Sequence, residues 1–374
     1  MKNVFFNWGV ADHYGWGVYG LNLLVHGLLQ GQFNPVPLQW PPKFLYPIDP
    51  FTQKLLDKAR SSWADGISAR DGDCMLSGVG NQIKRQSVTK KIREVAVIFF
   101  EHNPLPALEI EKLKQFDLVI TGSSWNQNAL ETMGVRNQRI IQGCDTDLFR
   151  WQPKKIYKDR FVIFSGGKLG FRKGQDILLR AFSLFSSKYD DALLLVTAWR
   201  SPWEEQIAHT MNYSENSPRF EKKLNFETSL ANWVADFGID AAKCIHLNAV
   251  SNRLMPEVFR EVDLAVFPNR CEGGTNLVAM EAMSAGVLCA LSANTGHNDL
   301  IQKNNCVPLN HQSSIELKDQ ATEGWGESSV EELLATMEAA YQRANGHRPD
   351  VIADSVAAYT WQSAIEKIGM HLVN

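Results

Sequence analysis

The feature that most constrains the fold is a regular alternation of short apolar runs with amphipathic stretches along the chain. The apolar runs are rich in Val, Ile and Phe, and the clearest are Val95–Phe100 and Leu264–Phe267. Short strands without charged residues are typical of parallel sheets that helices cover on both faces. The sequence therefore predicts an α/β protein with doubly wound parallel sheets.

These runs fall into two sets, and 374 residues are enough for two domains. The first set of expected strands is Asn3–Phe6, Val36–Gln39, Cys74–Leu76, Val95–Phe100 and Leu118–Thr121. The second set is Phe161–Ser165, Leu193–Thr197, Cys244–Leu247, Leu264–Phe267 and Val287–Leu291. A polar stretch at Trp151–Lys155 separates them, so we place the boundary there, with domains at 1–152 and 153–357. Residues 200–230 show little periodicity and are expected to form an exposed excursion that leads into a helix near Leu230–Phe237.

Charge and cysteine usage limit the possible partners and location. The 38 Lys and Arg residues nearly balance the 41 Asp and Glu residues, and a net charge of −3 gives no reason to expect nucleic acid as a partner. The six cysteines are scattered without a C-x-x-C pair, which favours a reducing compartment and indicates no metal site. The longest apolar run is too short to span a bilayer. We therefore expect a cytoplasmic protein.

The stretch HYGWGVYG places Gly15, Gly17 and Gly20 at the spacing of a dinucleotide-binding fingerprint. That fingerprint also needs a glycine directly after the first strand and an acidic residue about 20 positions further on. Here a loop intervenes, and the next strand candidate, PVPLQW, ends without an acid. The stretch is better interpreted as a turn that lets a ligand approach the first helix, with a purely structural turn as the alternative.

A basic turn follows the first strand of the second set, in FVIFSGGKLGFRKGQDILLRAF. Gly167, Lys168 and Lys173 lie in this turn, and the helix after it has apolar residues on one face. Ligands of open α/β sheets bind at the carboxyl ends of strands, where two ammonium groups would suit a diphosphate. Arg172 either adds charge there or points outward, and a solvated basic loop is the alternative for the whole turn.

A second glycine loop occurs in DLAVFPNRCEGGTNLVAMEAMSAG. Thr275 or Asn276 is a candidate cap for a helix that begins near Leu277 and ends at Gly286. The free N–H groups and the dipole of such a helix favour an anion without a metal. Glu281 lies further along that helix, either directed toward the cleft or engaged in a helix–helix contact.

Three stretches, GGKLGFRKGQD, CEGGTNLVAMEAMSAG and NTGHNDLI, resemble the nucleotide-sugar half of retaining family 4 glycosyltransferases with the GT-B fold. The likeness is specific over about residues 161–300. RIIQGCDTDLF resembles the end of the family's first domain, and YTWQSAIEKI resembles its terminal helix, which packs back on that domain and here would span 358–374. The resemblance implies two Rossmann-like domains facing a cleft.

The resemblance also implies roles for individual residues. Lys168 and Lys173, beside Gly167, would clamp the diphosphate of a nucleotide sugar, UDP or GDP being the expected nucleotides. The amide cradle would comprise Gly273, Gly274, Thr275, Asn276 and Leu277. Glu272 would hold the hydroxyls of the donor sugar, and Glu281 the ribose. Two departures are that Lys168 replaces the family's usual arginine and that eight residues, rather than seven, separate the glutamates.

In the first half, FFEHNPLP places Glu101 and His102 after a strong strand, at the rim of the expected cleft. His102 resembles the family's sugar-contacting histidine, although a histidine that only caps or packs is an equal alternative. Together with Gly15 and Gly17, these residues form the expected acceptor side of the site. Asp299 occupies a position where the family often has glutamate.

The predicted reaction transfers a sugar from a nucleoside diphosphate to an acceptor hydroxyl with retention of anomeric configuration, without a cofactor or a metal ion. Rival interpretations are a GT-B sugar-nucleotide epimerase, a non-catalytic sugar-nucleotide-binding protein, and a metal-dependent transferase that uses the D-x-D of Asp145 and Asp147. A further stretch, residues 83–94, carries Lys84, Arg85, Lys90, Lys91 and Arg93. It is either a solvated helix or a basic face for peripheral contact with an anionic membrane that presents a lipid-linked acceptor.

Overall fold

The computed structural model describes residues 1–64, 69–84, 92–199, 207–223, 225–343 and 349–373. Within these residues the chain forms two six-stranded parallel sheets and a separate two-stranded antiparallel hairpin. Buried apolar clusters lie on both faces of each sheet. The predicted α/β architecture is therefore confirmed.

The first part of the chain builds the first sheet. Its strands are β1 (Asn3–Phe6), β2 (Asn34–Pro37), β3 (Cys74–Val79), β4 (Arg93–Ile98), β5 (Leu118–Thr121) and β6 (Asn137–Arg139). They lie in the order β2-β1-β3-β4-β5-β6. The accompanying helices are α1 (Gly15–Gln30), α2 (Pro50–Ala64), α3 (Ala107–Leu113) and α4 (Ser124–Thr132). Pro35 and Pro37 lack a backbone N–H, which explains why β2 is an edge strand.

The second sheet follows after residue 160. Its strands are β7 (Phe161–Gly166), β8 (Ala192–Thr197), β9 (Cys244–Leu247), β10 (Leu264–Phe267), β11 (Leu288–Ser292) and β12 (Val307–Leu309), in the order β12-β11-β10-β7-β8-β9. The hairpin consists of β13 (Gln312–Ser314) and β14 (Gly326–Ser328). The remaining helices of the described chain are α5 (Gln175–Lys188), α6 (Phe226–Ala235), α7 (Met255–Phe259), α8 (Leu277–Ser284), α9 (Val330–Gln342), α10 (Pro349–Val356) and α11 (Trp361–Val373).

The central strands are apolar because both of their faces are covered. In β4, Val95 and Val97 lie in the cluster that contains α1, whereas Ala96 and Ile98 lie in the cluster on the opposite face. Strand β7 alternates between two clusters in the same way. Continuous apolar runs are the expected signature of this arrangement.

The terminal helix α11 packs on the first part of the molecule. Trp361, Ile365 and Ile368 lie in the same buried cluster as Leu23 and Leu24 of α1. This return agrees with what the resemblance implies for residues 358–374. The segment Trp151–Lys155 lies between β6 and β7, and the exact domain limits stay a prediction.

The expected exposed excursion at 200–230 is only partly right, because several of its described residues are buried although most are exposed or half-buried. Ala208, Met211 and Phe220 are all buried in the core cluster of the second sheet, packed with α5 and α6. Their spacing is irregular, so no helical or strand period reveals their burial. Residues 200–206 and 224 lie outside the described residues.

The basic stretch 83–94 is described only at its ends, because 85–91 lie outside the described residues. Ile83 is buried and Arg93 begins β4, so neither belongs to an exposed helical face. In the parts of the chain that the structure describes, no helix is both long and apolar enough to cross a membrane.

Candidate functional site

The loops at the carboxyl ends of the two sheets meet. Gly273, in the loop after β10, lies so close to the loop after β4 that a Cβ would come within 2.5 Å of the carbonyl oxygen of Phe100. The hydroxyl of Ser123, after β5, donates a hydrogen bond of 2.7 Å to the carbonyl oxygen of Gly273. The glycine is required here because any side chain would separate the two loops.

The basic turn after β7 packs on the same loop. Gly174 has φ of +67°, and a Cβ there would lie 2.0 Å from the carbonyl oxygen of Pro268. The backbone N–H of Arg270 donates to the carbonyl oxygen of Arg172 at 2.7 Å. The two segments that carry the predicted charged residues are therefore held against each other by the backbone.

Arg270 links the glycine loop to the basic turn and to the start of α5. Its guanidinium is fully buried and makes two hydrogen bonds of 2.7 Å to the carboxylate of Asp176, at the start of α5. It also pairs with Glu327 at 2.8 Å and stacks over the ring of Phe171, 3.9 Å from the centroid. A bidentate, fully satisfied arginine fixes the relative position of the two loops. The sequence analysis missed this residue.

Glu272 lies at the centre of the charged cluster. Its Oε1 accepts hydrogen bonds from Lys173 Nζ and from Asn269 Nδ2. Its Oε2 is 3.1 Å from Nη1 of Arg172. Burial by itself would raise the pKa of Glu272, but the charges of Lys173 and Arg172 lower it to about 2. The carboxylate is therefore ionised, and Oε2 keeps a lone pair for a further donor.

The three cations of the turn differ in their surroundings. Lys173 is largely buried, and its pKa is lowered by burial although Glu272 offsets part of that shift. Arg172 points inward, since it contacts Glu272 and lies 3.5 Å from Glu101 across the cleft. Lys168 is exposed and has no hydrogen bond or ion pair through its amine within the described chain. Partial desolvation and the charge of Arg172 lower its pKa.

A cavity of about 280 Å³ lies between these cations and the first sheet. It brings together four predicted site residues, namely Lys168, Lys173, Glu101 and His102. The other lining residues are Asn81, Gly170, Phe171, Arg172, Ile207, Thr210, Tyr213, Gln320 and Trp325. Pockets that bind small molecules start at about 300 Å³, so this cavity has room for only a small part of a ligand. Gly167 adjoins it, because a Cβ there would lie 3.9 Å from Nζ of Lys173.

The first-sheet side of the cavity is held by Asn81. Its Oδ1 accepts hydrogen bonds from the backbone N–H groups of Glu101 and His102, at 2.8 and 3.1 Å. Both site residues are half-buried. Burial lowers the pKa of His102, so its imidazole is neutral near pH 7. Such a ring both donates and accepts hydrogen bonds.

The start of α8 forms as expected, with Asn276 as the cap. Its side-chain oxygen accepts from the backbone N–H of Ala279, and its φ is +64°. Thr275 is fully buried, with its hydroxyl near Met280, and Leu277 begins the helix. His297, which the sequence analysis missed, lies with Nε2 3.2 Å from the Asn276 amide nitrogen.

The ring of Phe99 covers this cradle. A Cβ at Gly274 would lie 2.9 Å from Cδ1 of Phe99, and Gly273 to Asn276 are all buried. Lys173 contacts Glu272, the residue directly before the glycine loop. The basic turn, which carries Lys168 and Lys173, therefore adjoins the cradle of residues 273–277. A diphosphate at the loop therefore requires Phe99 to move.

The carboxyl group of Glu281, in α8, contacts none of the cations of the basic turn among the described residues. Its Oε1 accepts a hydrogen bond of 2.6 Å from Asn252 Nδ2, and burial raises its pKa to about 8. Asn252 in turn donates its backbone N–H to the carbonyl oxygen of Asp12 in the first domain. The buried carboxylate of Asp12 accepts from the hydroxyl of Ser251 at 2.6 Å. Glu281 is therefore near the cleft but is not a lining residue of the described cavity.

Gly15 and Gly17 lie in the first turn of α1 and outside the lining of that cavity. A Cβ at Gly17 would lie 2.5 Å from Cβ of Ala11, so this glycine serves close packing. Gly15 has open space around it, which leaves room for a ligand. Their acceptor role stays a prediction.

The acids at the ends of the cleft are engaged with the protein. Asp145 accepts from backbone N–H groups of Asp147 and Leu148, while Asp147 pairs with Arg150. Asp299 joins the domains, since it accepts from the backbone N–H of Ser124 and pairs with Arg139. The D-x-D carboxylates of Asp145 and Asp147 thus stabilise the turn in which they lie.

Comparison with known proteins agrees with this geometry. Residues 148–322 match the model of the family described as Glycosyl transferases group 1. No curated protein matches the chain by sequence. The matched residues include the basic turn and the glycine loop.

Solved structures share the whole fold. The sucrose-phosphate synthase of Thermosynechococcus elongatus superposes with a TM-score of 0.69 at 13% identity, covering 99% of this chain and 98% of that one. HepE of Anabaena, in complex with UDP and glucose, gives 0.66 at 14% identity over 100% and 99%. The trehalose-6-phosphate synthase OtsA gives 0.65 at 13% identity over 99% of both chains. The chain has the GT-B fold that the sequence predicted.

Proposed function

We propose that the chain transfers a sugar from a nucleoside diphosphate sugar to an acceptor hydroxyl, with retention at the anomeric carbon and without a metal ion. The observation that carries this proposal is the cavity between the sheets, which Lys168, Arg172 and Lys173 line from one side and His102 from the other. The bound UDP and glucose of the HepE structure support a UDP-sugar as the donor.

The cations would stabilise the departing diphosphate. Cleavage of the bond between the anomeric carbon and the phosphate oxygen places negative charge on the leaving group. Fixed positive charges in a partly desolvated site stabilise such charge more than water does. Lys168 supports this role best, because its ammonium has no hydrogen bond or ion pair among the described side chains.

The surroundings of Glu272 argue against a covalent sugar–enzyme intermediate. A carboxylate that accepts from Lys173 and Asn269 and pairs with Arg172 is a weak nucleophile, because two cations compensate its charge and both lone pairs of Oε1 are engaged. For transfer with retention, the remaining route forms the new bond on the face that the diphosphate leaves. The proton of the acceptor hydroxyl passes to the departing phosphate oxygen, so atoms and charges balance.

The cleft would open and close during each catalytic cycle. Phe99 covers the glycine loop, and Arg253 pairs with Asp49 across the domains, so the structure resembles a closed form. The donor would bind in an open form, and closure would expel water that could hydrolyse it.

A donor panel tests the proposal. UDP-, GDP-, ADP- and dTDP-sugars are compared by thermal shift, because a ligand that binds only the folded state raises the midpoint. The donor that binds is then incubated with acceptor pools in EDTA, and the anomeric configuration of the product is determined by NMR. Transfer with retention in EDTA supports the proposal. Loss of transfer in EDTA, inversion, donor epimerisation without acceptor, or binding without any reaction would each contradict it.

The location is a separate part of the proposal. A cytoplasmic enzyme fits the scattered cysteines, and membrane contact would serve a lipid-linked acceptor. Co-sedimentation with liposomes, with and without anionic lipid, tests the contact. Equal recovery with both lipid compositions would contradict an electrostatic contact.

A further inference from the structure

A segment between β13 and β14 reaches across the cleft to the first domain. We call residues 315–325 the strap. The backbone of Asn103 accepts from Glu323 at 2.9 Å and donates to Ala321 at 3.0 Å, as in a strand pair. The indole N–H of Trp325 donates to the carbonyl oxygen of Glu101 at 2.8 Å. The strap is therefore fastened to the residues that carry His102.

The other side of the strap is fixed to the second domain. Trp325 packs with Phe171 of the basic turn and with Cys271 of the glycine loop. The backbone N–H of Gly326 donates to the carbonyl oxygen of Arg270 at 3.0 Å. The strap thus joins the basic turn, the glycine loop and the first domain at one place.

Two strap residues, Gln320 and Trp325, line the cavity that also contains His102 and Lys168. Gln320 is half-buried, and its side-chain amide has no hydrogen-bond partner in the described ranges. The imidazole of half-buried His102 and the hydroxyl of exposed Tyr213 also have no hydrogen-bond partner among the described residues. A small cavity with unpaired donors and acceptors beside aromatic rings matches a pyranose, which presents both hydroxyls and an apolar face.

We propose that the strap forms the outer wall of the sugar subsite and that Gln320 determines which sugar is accepted, by hydrogen bonding to one hydroxyl of the transferred unit. Trp325 is a positioning residue, since it holds the strap on Glu101. This inference rests on the proposed function. An amide offers one acceptor and two donors in a plane, so it distinguishes epimers that differ in the direction of one hydroxyl.

The test compares Gln320→Ala with Asp319→Ala, a matched control on an exposed strap residue outside the cavity lining. Calorimetry measures the Kd of UDP, UDP-glucose and UDP-galactose, and of GDP, GDP-glucose and GDP-mannose, and kcat/KM is measured where turnover occurs. We expect Gln320→Ala to reduce the preference between the epimeric donors about tenfold. The Kd of the free nucleoside diphosphate should stay within about twofold.

Each outcome decides a different point. If the wild type binds a nucleotide sugar but Gln320→Ala keeps the same epimer preference as Asp319→Ala, the strap inference is wrong and the proposed function stands. If the wild type binds none of these six ligands and none of the ADP- or dTDP-sugars of the donor panel, the proposed function fails, and the inference fails with it. If both variants lose nucleoside diphosphate binding equally, the strap is only structural and the inference is again overturned.

Discussion

Two buried glutamates of the second domain, Glu272 and Glu281, have opposite electrostatic surroundings. Glu272 is enclosed by Lys173 and Arg172, and its pKa is lowered to about 2. Glu281 accepts a hydrogen bond from the amide of Asn252, and burial raises its pKa to about 8. One carboxylate is therefore kept charged by the protein, and the other is kept neutral.

The difference indicates different tasks. A charged carboxylate among cations orders the ends of Lys173 and Arg172 and offsets part of the positive charge of the proposed diphosphate site. A neutral carboxyl group can donate a hydrogen bond as well as accept one, which suits a ribose hydroxyl.

Replacing Lys173 by Ala should have the largest effect. It leaves the buried carboxylate of Glu272 with one fewer cation, so the free energy of unfolding should fall by about 3 kcal/mol. Turnover should also fall by roughly 100-fold or more, because a charge beside the leaving group is lost. Chemical denaturation and kcat/KM measure the two effects. Lys188→Ala, which breaks an exposed pair with Glu338, is the control and should leave both unchanged. Normal turnover of Lys173→Ala would remove this residue from the clamp.

Lys168→Ala should separate activity from stability. Its ammonium is exposed and unpaired in the described structure, so the free energy of unfolding should change by less than about 0.5 kcal/mol. We expect turnover to fall by roughly 100-fold, with Lys168→Arg retaining most of it because the positive charge remains. Steady-state kinetics of the three proteins provide the comparison. Equal activity of Lys168→Ala and the wild type would leave this amine without a catalytic role.

The pH dependence of stability should show the two glutamates separately. The folded-state pKa of Glu281, about 8, lies above its ordinary value of 4.5, so its contribution is full at low pH and is lost as pH rises through 8. Glu272 behaves oppositely, because its stabilising charge is present above pH 4.5 and is lost as pH falls toward about 2.

Glu281→Gln tests the first half of this contrast. The amide oxygen of Gln still accepts from Asn252, but the side chain no longer ionises. Between pH 5 and 8.5 the melting temperature should fall less in the variant than in the wild type. The corresponding difference in the loss of unfolding free energy should be on the order of a few kcal/mol at pH 8.5. Parallel curves for the two proteins would show that Glu281 does not titrate in this range.

Trp325→Phe should have the smallest effect. Phenylalanine keeps the contact with Phe171 but removes the N–H that binds the carbonyl oxygen of Glu101. Loss of one hydrogen bond corresponds to about a fivefold change in an equilibrium constant. We expect KM for the donor to rise by that factor with kcat nearly unchanged, since only the position of the strap is relaxed. A change in kcat alone would assign Trp325 to the chemical step.

The sequence was sufficient for the parallel sheets because their strands are buried on both faces. Strand β10 and residues 95–98 of β4 are uninterrupted apolar runs, which can be recognised from the local sequence alone. Strands β6, β12, β13 and β14 were missed, since each has three residues and several are polar. Burial of Met211 and Phe220 depends on distant contacts that no local period records.

The candidate site was predictable where charged residues or glycines directly follow a predicted strand. The basic turn and the glycine loop follow strands at the carboxyl edge, so their convergence follows from parallel topology. The anchoring by Arg270, the coupling of Asn252 to Glu281 and the reach of the strap all join residues far apart in sequence. An arginine two residues before Glu272, between a buried strand and the glycine loop, was a local signal that could have been used.

The central claim is that Lys168 and its neighbours neutralise a diphosphate without a divalent ion. Calorimetry in EDTA, comparing UDP with uridine and GDP with guanosine on the wild type and on Lys168→Ala, tests it most directly. The wild type should bind one diphosphate at least about 100-fold more tightly than its nucleoside, and Lys168→Ala should lose most of that difference. Equal affinity for diphosphate and nucleoside, or diphosphate binding that appears only when Mg²⁺ or Mn²⁺ is added, would contradict it.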